Sequence, residues 1–189
     1  VVPSEGYDYL VGCDYKQLEL CIAAHTSRDP VMIDWVTRGL DVHSITAARV
    51  MGVKSPVTPK EFEDFKLKHP NERATGKMTV FASLFGIEAP SLSWKIFADT
   101  EGKIFIDEDT SQEYIDAFFS NFTGYVEYGK WLWKQLVAGK PIRSQTGRTW
   151  WINADHLGLN KAKNYPVQSL ASDIVILALR ALFGILRKE

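Results

Sequence analysis

Residues 73–86 read RATGKMTVFASLFG, and this stretch is the most informative about the fold. A cation or an aromatic residue stands at every fourth position: Arg73, Lys77, Phe81 and Phe85. On an α-helix these side chains form one stripe, with two cations at its N-terminal end and two rings beyond them. Gly86 fits the position just after a helix C-terminus. The pattern predicts a helix from about Glu72 to Phe85.

The same stripe favours a binding function. Two cations and a helix N-terminus attract phosphate oxygens, and the two rings beyond them can pack on a sugar and a base. A structural explanation also exists, because long cationic side chains reach solvent from the edge of a buried helix face. The pattern alone leaves both explanations open.

A second informative segment is residues 14–20, DYKQLEL. The Tyr-, Leu- and Val-rich residues before it predict a strand that ends near Asp14, and helical spacing begins at Leu18. A carboxylate at a strand end is a common Mg²⁺ ligand, because substrate phosphates and water complete the shell. The alternative is that Asp14 only caps the following helix.

These two segments resemble motifs A and B of family A DNA polymerases. Residues 14–20 match the usual motif A, Asp-Tyr-Ser-Gln-Ile-Glu-Leu, at five of seven positions. The resemblance implies that Asp14 and the Tyr15 carbonyl bind a catalytic metal. It also implies that Gln17 contacts the incoming deoxynucleotide and that Glu19 excludes a ribose 2′-hydroxyl.

Motif B has the spacing Arg-x3-Lys-x3-Phe-x4-Gly, which this chain keeps through Gly86. The resemblance implies that Arg73 and Lys77 bind the triphosphate, with Lys77 acting in catalysis. It places Phe81 and Phe85 against the sugar and base of the nucleotide. Phe85 is a departure, because the bacterial enzymes carry Tyr there and its hydroxyl helps to hold the motif A Glu.

The segment Asp41-Val42-His43 resembles the Asp-Ile-His element that lies between the two motifs. By this resemblance His43 reaches a phosphate of the nucleotide. Arg148, which follows Gly147, matches a basic stretch of the family weakly and is a predicted DNA contact.

The segment Asn164-x-Pro166-x-Gln168 resembles a helix start whose Asn and Gln contact the minor groove near the primer end. Amide side chains suit that groove, because its acceptors are similar for every base pair. A local alternative is that Asn164 only caps a helix beginning at Pro166. The family has Arg four residues before the Asn, and either Lys161 or Lys163 is a candidate substitute here.

Helix boundaries are marked along most of the chain. Helices are predicted after Asp29, Asp41 and Thr58, over residues 90–98, 112–121 and 124–137, and after Pro166. Residues 142–152 predict a hairpin around Thr146-Gly147. The predicted fold is therefore α+β and predominantly helical, with a short β-hairpin. The resemblance implies fingers helices inserted in a partial polymerase palm: partial palm at 1–40, fingers at 41–155 and a palm helix at 156–189.

Composition places few limits on function. The net charge of the 189 residues is −1, so a case for nucleic-acid binding depends on local patches. Residues 99–127 hold eight acids and one base, whereas residues 130–148 hold five bases and no acid. These are either two solvated faces, or the basic stretch follows a phosphate backbone. Cys13 and Cys21 form no CxxC pair, which indicates a reducing compartment.

The resemblance implies a two-metal Mg²⁺ site, with dNTPs and primer-template DNA as partners. We expect a monomer in the cytoplasm of a bacterium or a phage-infected host, and no membrane contact. The apolar run 174–186, interrupted by Arg180, is predicted to be too short and too charged to span a bilayer. Alternatives are a catalytically dead DNA-binding module with a fingers-like fold, an unrelated helical interaction domain, and a single-subunit RNA polymerase, against which Glu19 argues.

The chain starts without Met and ends directly after an apolar helix pattern, which indicates a piece of a longer protein. The third motif of the family, His-Asp-Glu, has no match in the expected position, and the thumb is absent too. We therefore expect the isolated chain to be inactive or nearly so.

Overall fold

A computed structural model describes residues 5, 6, 8, 9, 11–152 and 158–186. Of these described residues 69% are helical, which confirms a predominantly helical fold with a short hairpin. The described elements are α1 (Leu18–Ser27), α2 (Pro30–Thr37), α3 (Val42–Val50), α4 (Pro59–Lys68), α5 (Pro70–Phe85), α6 (Ala89–Asp99), α7 (Glu108–Asn121), α8 (Thr123–Val137), β1 (Ile142–Arg143), β2 (Thr149–Trp150) and α9 (Leu159–Leu186).

Side-chain caps confirm three of the predicted helix starts. Asp29 accepts hydrogen bonds from two N–H groups in the first turn of α2, and Asp41 accepts one from α3. Thr58 and Glu61 form a reciprocal capping box at the start of α4. Each cap satisfies backbone N–H groups that have no partner within the helix, which is why the sequence marks these starts.

Helix α5 lies at the centre of the fold, where it contacts α3, α4, α6, α7 and α9. Gly76 permits the close approach to α3. A Cβ at this position would lie 2.3 Å from the His43 carbonyl oxygen and 2.7 Å from the Ala47 backbone nitrogen. The buried face of α5 therefore packs on α3 backbone to backbone. The predicted stripe runs along the edge of this face, with Lys77 exposed and Arg73, Phe81 and Phe85 partly buried.

The C-terminal end of α5 is held by two distant side chains. The Tyr125 hydroxyl on α8 donates a 2.8 Å hydrogen bond to the Leu84 carbonyl, and Asn164 Nδ2 on α9 donates a 3.0 Å bond to the Phe85 carbonyl. The last carbonyls of a helix have no partner within it. Helices α8 and α9 supply those partners and so fix the end of α5.

The largest apolar cluster joins α1, α2, α3, α5, α7, α8 and α9. Its most buried large side chains include Met32, Leu84, Phe122 and Tyr125. A second cluster packs α6 and α7 on the opposite part of α5 through Met78, Leu92 and Ile115. Because α1 and α9 share the first cluster with α5, the residues just before α1 lie beside the exposed stripe of α5.

The hairpin is confirmed, with Ile142 opposite Trp150 and a left-handed Gly147 in the turn. It is attached to α9 through one carboxylate. Arg148 Nη2 lies 2.5 Å from Asp173 Oδ1, and the Thr146 hydroxyl donates to Asp173 Oδ2. Asp173 is buried, so this ion pair and hydrogen bond give it the partners that a buried carboxylate requires.

Three sequence predictions differ from the structure. The strand before Asp14 is wrong in its described part, because residues 11–15 have no strand to pair with among the described residues. Helix α7 begins four residues before the predicted start, where Asp107 caps it. Helix α9 begins at Leu159 and contains Pro166, so Asn164 lies inside this helix and does not cap it.

The earlier start of α9 also corrects the prediction about its apolar run. Residues 162–186 form one segment whose length and composition would allow it to cross a membrane, with a mean hydropathy of 1.9 in its most apolar part. Core helices of water-soluble proteins can be equally long and apolar. The first half of α9 packs on the core through Ala162, Val167 and Leu170, whereas its second half exposes apolar side chains.

Candidate functional site

A pocket of about 840 Å³ opens between the start of α1 and the exposed face of α5. This volume lies within the range of small-molecule sites. The pocket brings together eight of the predicted site residues from three separate segments: Asp14, Tyr15, Gln17, Glu19, His43, Arg73, Lys77 and Phe81. Helix α9 closes one side with Ala171, Ser172, Val175 and Ile176.

The α5 side of the pocket carries the predicted stripe. Lys77 is exposed, and its Nζ lies 5.7 Å from the centre of the Phe81 ring. Phe81 stacks on Phe85 at 5.8 Å between ring centres. Phe85 packs against the core and does not line the pocket, so it supports Phe81 from behind.

Arg73 is oriented by a buried carboxylate. Its Nε donates a 3.0 Å hydrogen bond to Asp41 Oδ2, and its Nη2 donates a 3.4 Å bond to Asp41 Oδ1. Ser44 donates to both Asp41 oxygens, through its backbone N–H and its hydroxyl. Burial alone would raise the pKa of Asp41, but the hydrogen bonds and charge of Arg73, together with Ser44, hold it below its usual value. Asp41 is therefore an anion that fixes a cation at the pocket wall.

His43 lies in the same wall of the pocket, against Phe81. The two rings are 5.9 Å apart, and the buried Nδ1 of His43 has no hydrogen-bond partner among the described residues. Burial lowers the pKa of His43 to about 4, and the charges of Arg73 and Lys77 oppose that of Asp41. The imidazole is thus neutral at neutral pH and can donate one hydrogen bond.

The carboxylate side of the pocket is built differently. Asp14 and Tyr15 are exposed and lie in irregular backbone, whereas Glu19 is half-buried in the first turn of α1. Two side-chain hydrogen bonds tie this segment to the residues before α3: Lys16 Nζ donates to the Gly39 carbonyl at 3.1 Å, and Gln17 Nε2 to the Leu40 carbonyl at 3.4 Å. The carboxylates therefore face the cations of α5 across the pocket, on a less tightly held segment.

Comparison with known proteins identifies the family of this chain. The model of DNA polymerase family A matches residues 1–189. The chain belongs to DNA polymerase family A. The resemblance seen in motifs A and B is thereby confirmed.

Two curated relatives show the extent of the match. DNA polymerase I of Aquifex aeolicus is 30% identical over 187 residues, which is 98% of this chain and 30% of that protein. The thermostable DNA polymerase I of Thermus aquaticus is 28% identical over 193 residues, or 96% of this chain and 21% of that protein. This family A chain thus spans less than a third of the length of either relative.

A solved structure shares the fold. It is the POL domain of Pol1 from M. smegmatis in complex with DNA primer-template and dNTP. It aligns with a TM-score of 0.63 over 86% of this chain and 27% of that chain, at 24% identity. The likeness shows that the two proteins share a fold.

The predicted DNA contacts of this family A chain lie outside the pocket. Gln168 is exposed on α9. The amide nitrogen of Asn164 donates to the Phe85 carbonyl, and the Oδ1 of Asn164 is buried with no partner among the described residues. Arg148 is half-exposed and paired with Asp173. Lys163 is only 6% exposed and lies over the rings of Phe119 and Tyr125, so it does not replace the missing Arg at the surface.

Three contributions to the pocket are not predicted by the sequence pattern. Asp41 was considered only as a helix cap and as part of the element with His43, yet it also pairs with Arg73. Lys66 on α4 lines the pocket, and nothing in its local pattern marks it. Ser172 and its neighbours on α9 form one wall of the pocket. The sequence predicts that these residues are helical, but which side of the helix faces the pocket depends on the packing of α9 on α1 and α5.

Proposed function

We propose that this chain is the nucleotide-binding part of a template-directed DNA polymerase. The whole protein would bind dNTP, Mg²⁺ and primer-template DNA, and would add deoxynucleotides to a primer 3′-hydroxyl with release of pyrophosphate. The observation that carries the proposal is the pocket that unites the motif A residues, His43 and the motif B cations. The names of the relatives and of the structural neighbour, which was solved with primer-template and dNTP, support it.

The phosphates of the nucleotide would lie against α5 and α3. Arg73 and Lys77 offer two positive charges at the N-terminal half of α5, where the helix dipole also favours anions. Neutral His43 would donate one hydrogen bond to a phosphate oxygen. Because the leaving pyrophosphate gains charge, the same cations would stabilise it, and this is the catalytic role we propose for Lys77.

The sugar and base would lie between Phe81 and the start of α1. The Phe81 ring is backed by Phe85, so it offers a fixed apolar surface for the deoxyribose. Glu19 faces the same space from α1 and would occupy the volume of a ribose 2′-hydroxyl. Gln17 would contact the nucleotide from the neighbouring position. Phe85 lacks a hydroxyl to hold Glu19, so selection against ribonucleotides would depend on α1 alone.

The donor groups at the mouth of the pocket fit magnesium. Asp14 and the Tyr15 carbonyl are oxygen donors at the pocket lining, and Mg²⁺ needs only one or two protein carboxylates when phosphates and water complete its shell. The described residues contain no group of three or more His, Cys, Asp or Glu suited to a metal. When bound, the metal would offset phosphate charge and stabilise the attacking and leaving oxygens.

Primer-template DNA would lie along α9 and the hairpin, with Gln168 and Arg148 as contacts, whereas the amide of Asn164 serves to hold the end of α5. We propose that residues 41–155 form the fingers and that the segments on either side belong to the palm. The compared relatives are bacterial, and both Cys13 and Cys21 are free thiols, which supports a cytoplasmic site of action. We propose a monomer without membrane attachment.

The proposal is tested by calorimetric titration of the chain with dATP and Mg²⁺. Lys77→Ala is expected to weaken binding about 10-fold, the roughly 1.4 kcal/mol of a charge-assisted contact. Lys134→Ala removes another exposed lysine from α8, away from the pocket, and is expected to bind like the wild type. Absence of dATP binding by a chain that circular dichroism shows to be helical would overturn the proposed site.

The isolated chain is proposed to extend no primer, because the catalytic carboxylate expected from the third motif has no match among its 189 residues. A primer-extension assay with the purified chain checks this directly. Extension at the rate of a complete family A enzyme would contradict it.

A further inference from the structure

Lys66 is a cation of the pocket that neither motif includes. It lies in the last turn of α4, and its side chain is 36% exposed and lines the same cavity as Arg73 and Lys77. Its Nζ is 2.7 Å from Glu63 Oε1 and 4.0 Å from Asp41 Oδ2. Lys66 therefore adds a third positive charge to the wall on which the phosphates of the nucleotide would lie.

The position of Lys66 is fixed by the packing of α4. Phe62 and Phe65 are buried on one face of this helix, and Phe65 packs on Ala47 and Ala48 of α3. The capping box at Thr58 fixes the other end of the helix. Successive residues of an α-helix are about 100° apart, so Lys66 points to the pocket while Lys68, two residues later, points to the opposite side.

Asp41 is an ion-pair partner of both Lys66 and Arg73. This carboxylate is only 5% exposed and already accepts four hydrogen bonds, two from Arg73 and two from Ser44. Lys66 at 4.0 Å is therefore held by charge attraction rather than by a hydrogen bond to Asp41. One buried anion thus lies beside two cations, and these three groups together carry a net charge of +1.

The contact with Glu63 does not compete strongly for Lys66. Glu63 is 68% exposed, and exposed ion pairs contribute only about 0–1 kcal/mol. An ammonium group has three donors, and Glu63 takes one of them. A bound triphosphate, with several negative charges in a partly enclosed pocket, offers the remaining donors stronger partners.

We propose that Lys66 is a third phosphate-binding cation of this pocket and that Asp41 positions it together with Arg73, an inference that rests on the proposed nucleotide site. The three cations come from two helices, so the triphosphate would join α4 to α5. The ligand class is a polyphosphate, and the contact concerns the phosphates alone, without the sugar or the base.

The test is calorimetric titration of the chain with dATP and, separately, with inorganic tripolyphosphate. Lys66→Gln is expected to weaken both ligands about 5-fold, the effect of roughly 1 kcal/mol from a partly exposed charge. Lys66→Arg should restore binding to within about 2-fold of the wild type, because it keeps the charge. Lys68→Gln is the matched control from the same helix and should bind like the wild type.

The outcomes separate this inference from the proposed function. Weaker binding in Lys77→Ala together with unchanged binding in Lys66→Gln would overturn only the role of Lys66. Equal losses in Lys66→Gln and Lys68→Gln would also overturn it, since they would reflect net charge rather than a contact. Absence of binding by the wild type would overturn both. Melting temperatures of the two glutamine variants should agree, because neither lysine is buried.

Discussion

The two sides of the pocket are held in place to different degrees. On one side, α5 is packed against α3 at Gly76, and Tyr125 and Asn164 hold its C-terminal end. On the other side, Asp14 lies in exposed, irregular backbone that is tied to its neighbours by Lys16 and Gln17. The cationic wall is therefore firmly packed, whereas the carboxylate segment depends on few contacts.

This difference corresponds to the two functions proposed for the pocket, phosphate binding and metal binding. Phosphate binding requires cations that are already in place, and Asp41 orients Arg73 before any ligand arrives. The proposed metal binding does not require Asp14 to be held in place beforehand, because Mg²⁺ prefers oxygen ligands and can order this carboxylate when it binds. We therefore expect substitutions of packed or paired groups on the α5 side to affect stability, and substitutions of its cations to affect nucleotide affinity. Substitutions at Asp14 should affect only the dependence on metal.

Gly76→Ala is expected to have the largest effect, because it disturbs the packing of α5 on α3. The new Cβ would meet the backbone of α3 at 2.3 Å and 2.7 Å, which α3 cannot avoid without moving away from α5. We expect a loss of about 3 kcal/mol in the free energy of unfolding, measured by urea denaturation.

Gly184→Ala provides the control, because this glycine is also helical and a Cβ at its position would have no atom within 4 Å. It should be neutral or stabilising by up to about 1 kcal/mol, through higher helix propensity. Equal effects of the two substitutions would show that helix propensity, and not contact with α3, determines the result at Gly76.

The second largest effect concerns pH and His43. Its pKa is about 4 in the folded chain, mainly through burial, against 6.5 in the unfolded chain. The folded state therefore binds fewer protons, and stability is complete above about pH 6.5 and falls as the pH drops towards 4. Between about pH 7 and pH 5 the wild type should lose about 2 kcal/mol through this group, as followed by urea denaturation.

His43→Phe keeps an aromatic ring and removes the titration, so its unfolding free energy should fall less over the same pH range. His25→Gln removes an exposed histidine and should behave like the wild type. Identical pH dependence in His43→Phe and the wild type would show that His43 is not held neutral by burial.

Substitutions of Arg73 and Lys77 are expected to differ in their effect on stability, although both side chains line the pocket. Arg73→Gln leaves the buried Asp41 without its main partner and should cost about 1 kcal/mol. Lys77→Gln removes an exposed cation and should change the unfolding free energy by less than about 0.5 kcal/mol. Thermal unfolding of both variants checks this, and a larger loss in Lys77→Gln would contradict the assigned role of Asp41.

The smallest expected effect is that of Asp14→Asn. Because Asp14 is exposed and belongs to no helix or strand, its substitution should change stability by less than about 0.5 kcal/mol. Urea denaturation measures this change. A large loss would mean that the carboxylate segment is as firmly held as α5.

Local chemistry explains which features were predictable. Caps at Asp29, Asp41 and Thr58 depend on neighbouring residues, and so does the stripe of α5, so the sequence displays them directly. Helix α9 was misjudged because buried Ala162 extends it before Pro166, and tertiary packing outweighs the usual position of proline. Lys66 was missed because its meeting with Asp41 depends on how two helices pack together.

The central claim is that the α5 side binds phosphates and the Asp14 side binds metal. The most direct measurement is the affinity for dATP of the wild type, Lys77→Ala and Asp14→Asn, with Mg²⁺ and with EDTA. The account predicts that Lys77→Ala loses about 10-fold under both conditions, whereas Asp14→Asn loses affinity only with Mg²⁺. Equal behaviour of the two variants under both conditions would contradict it.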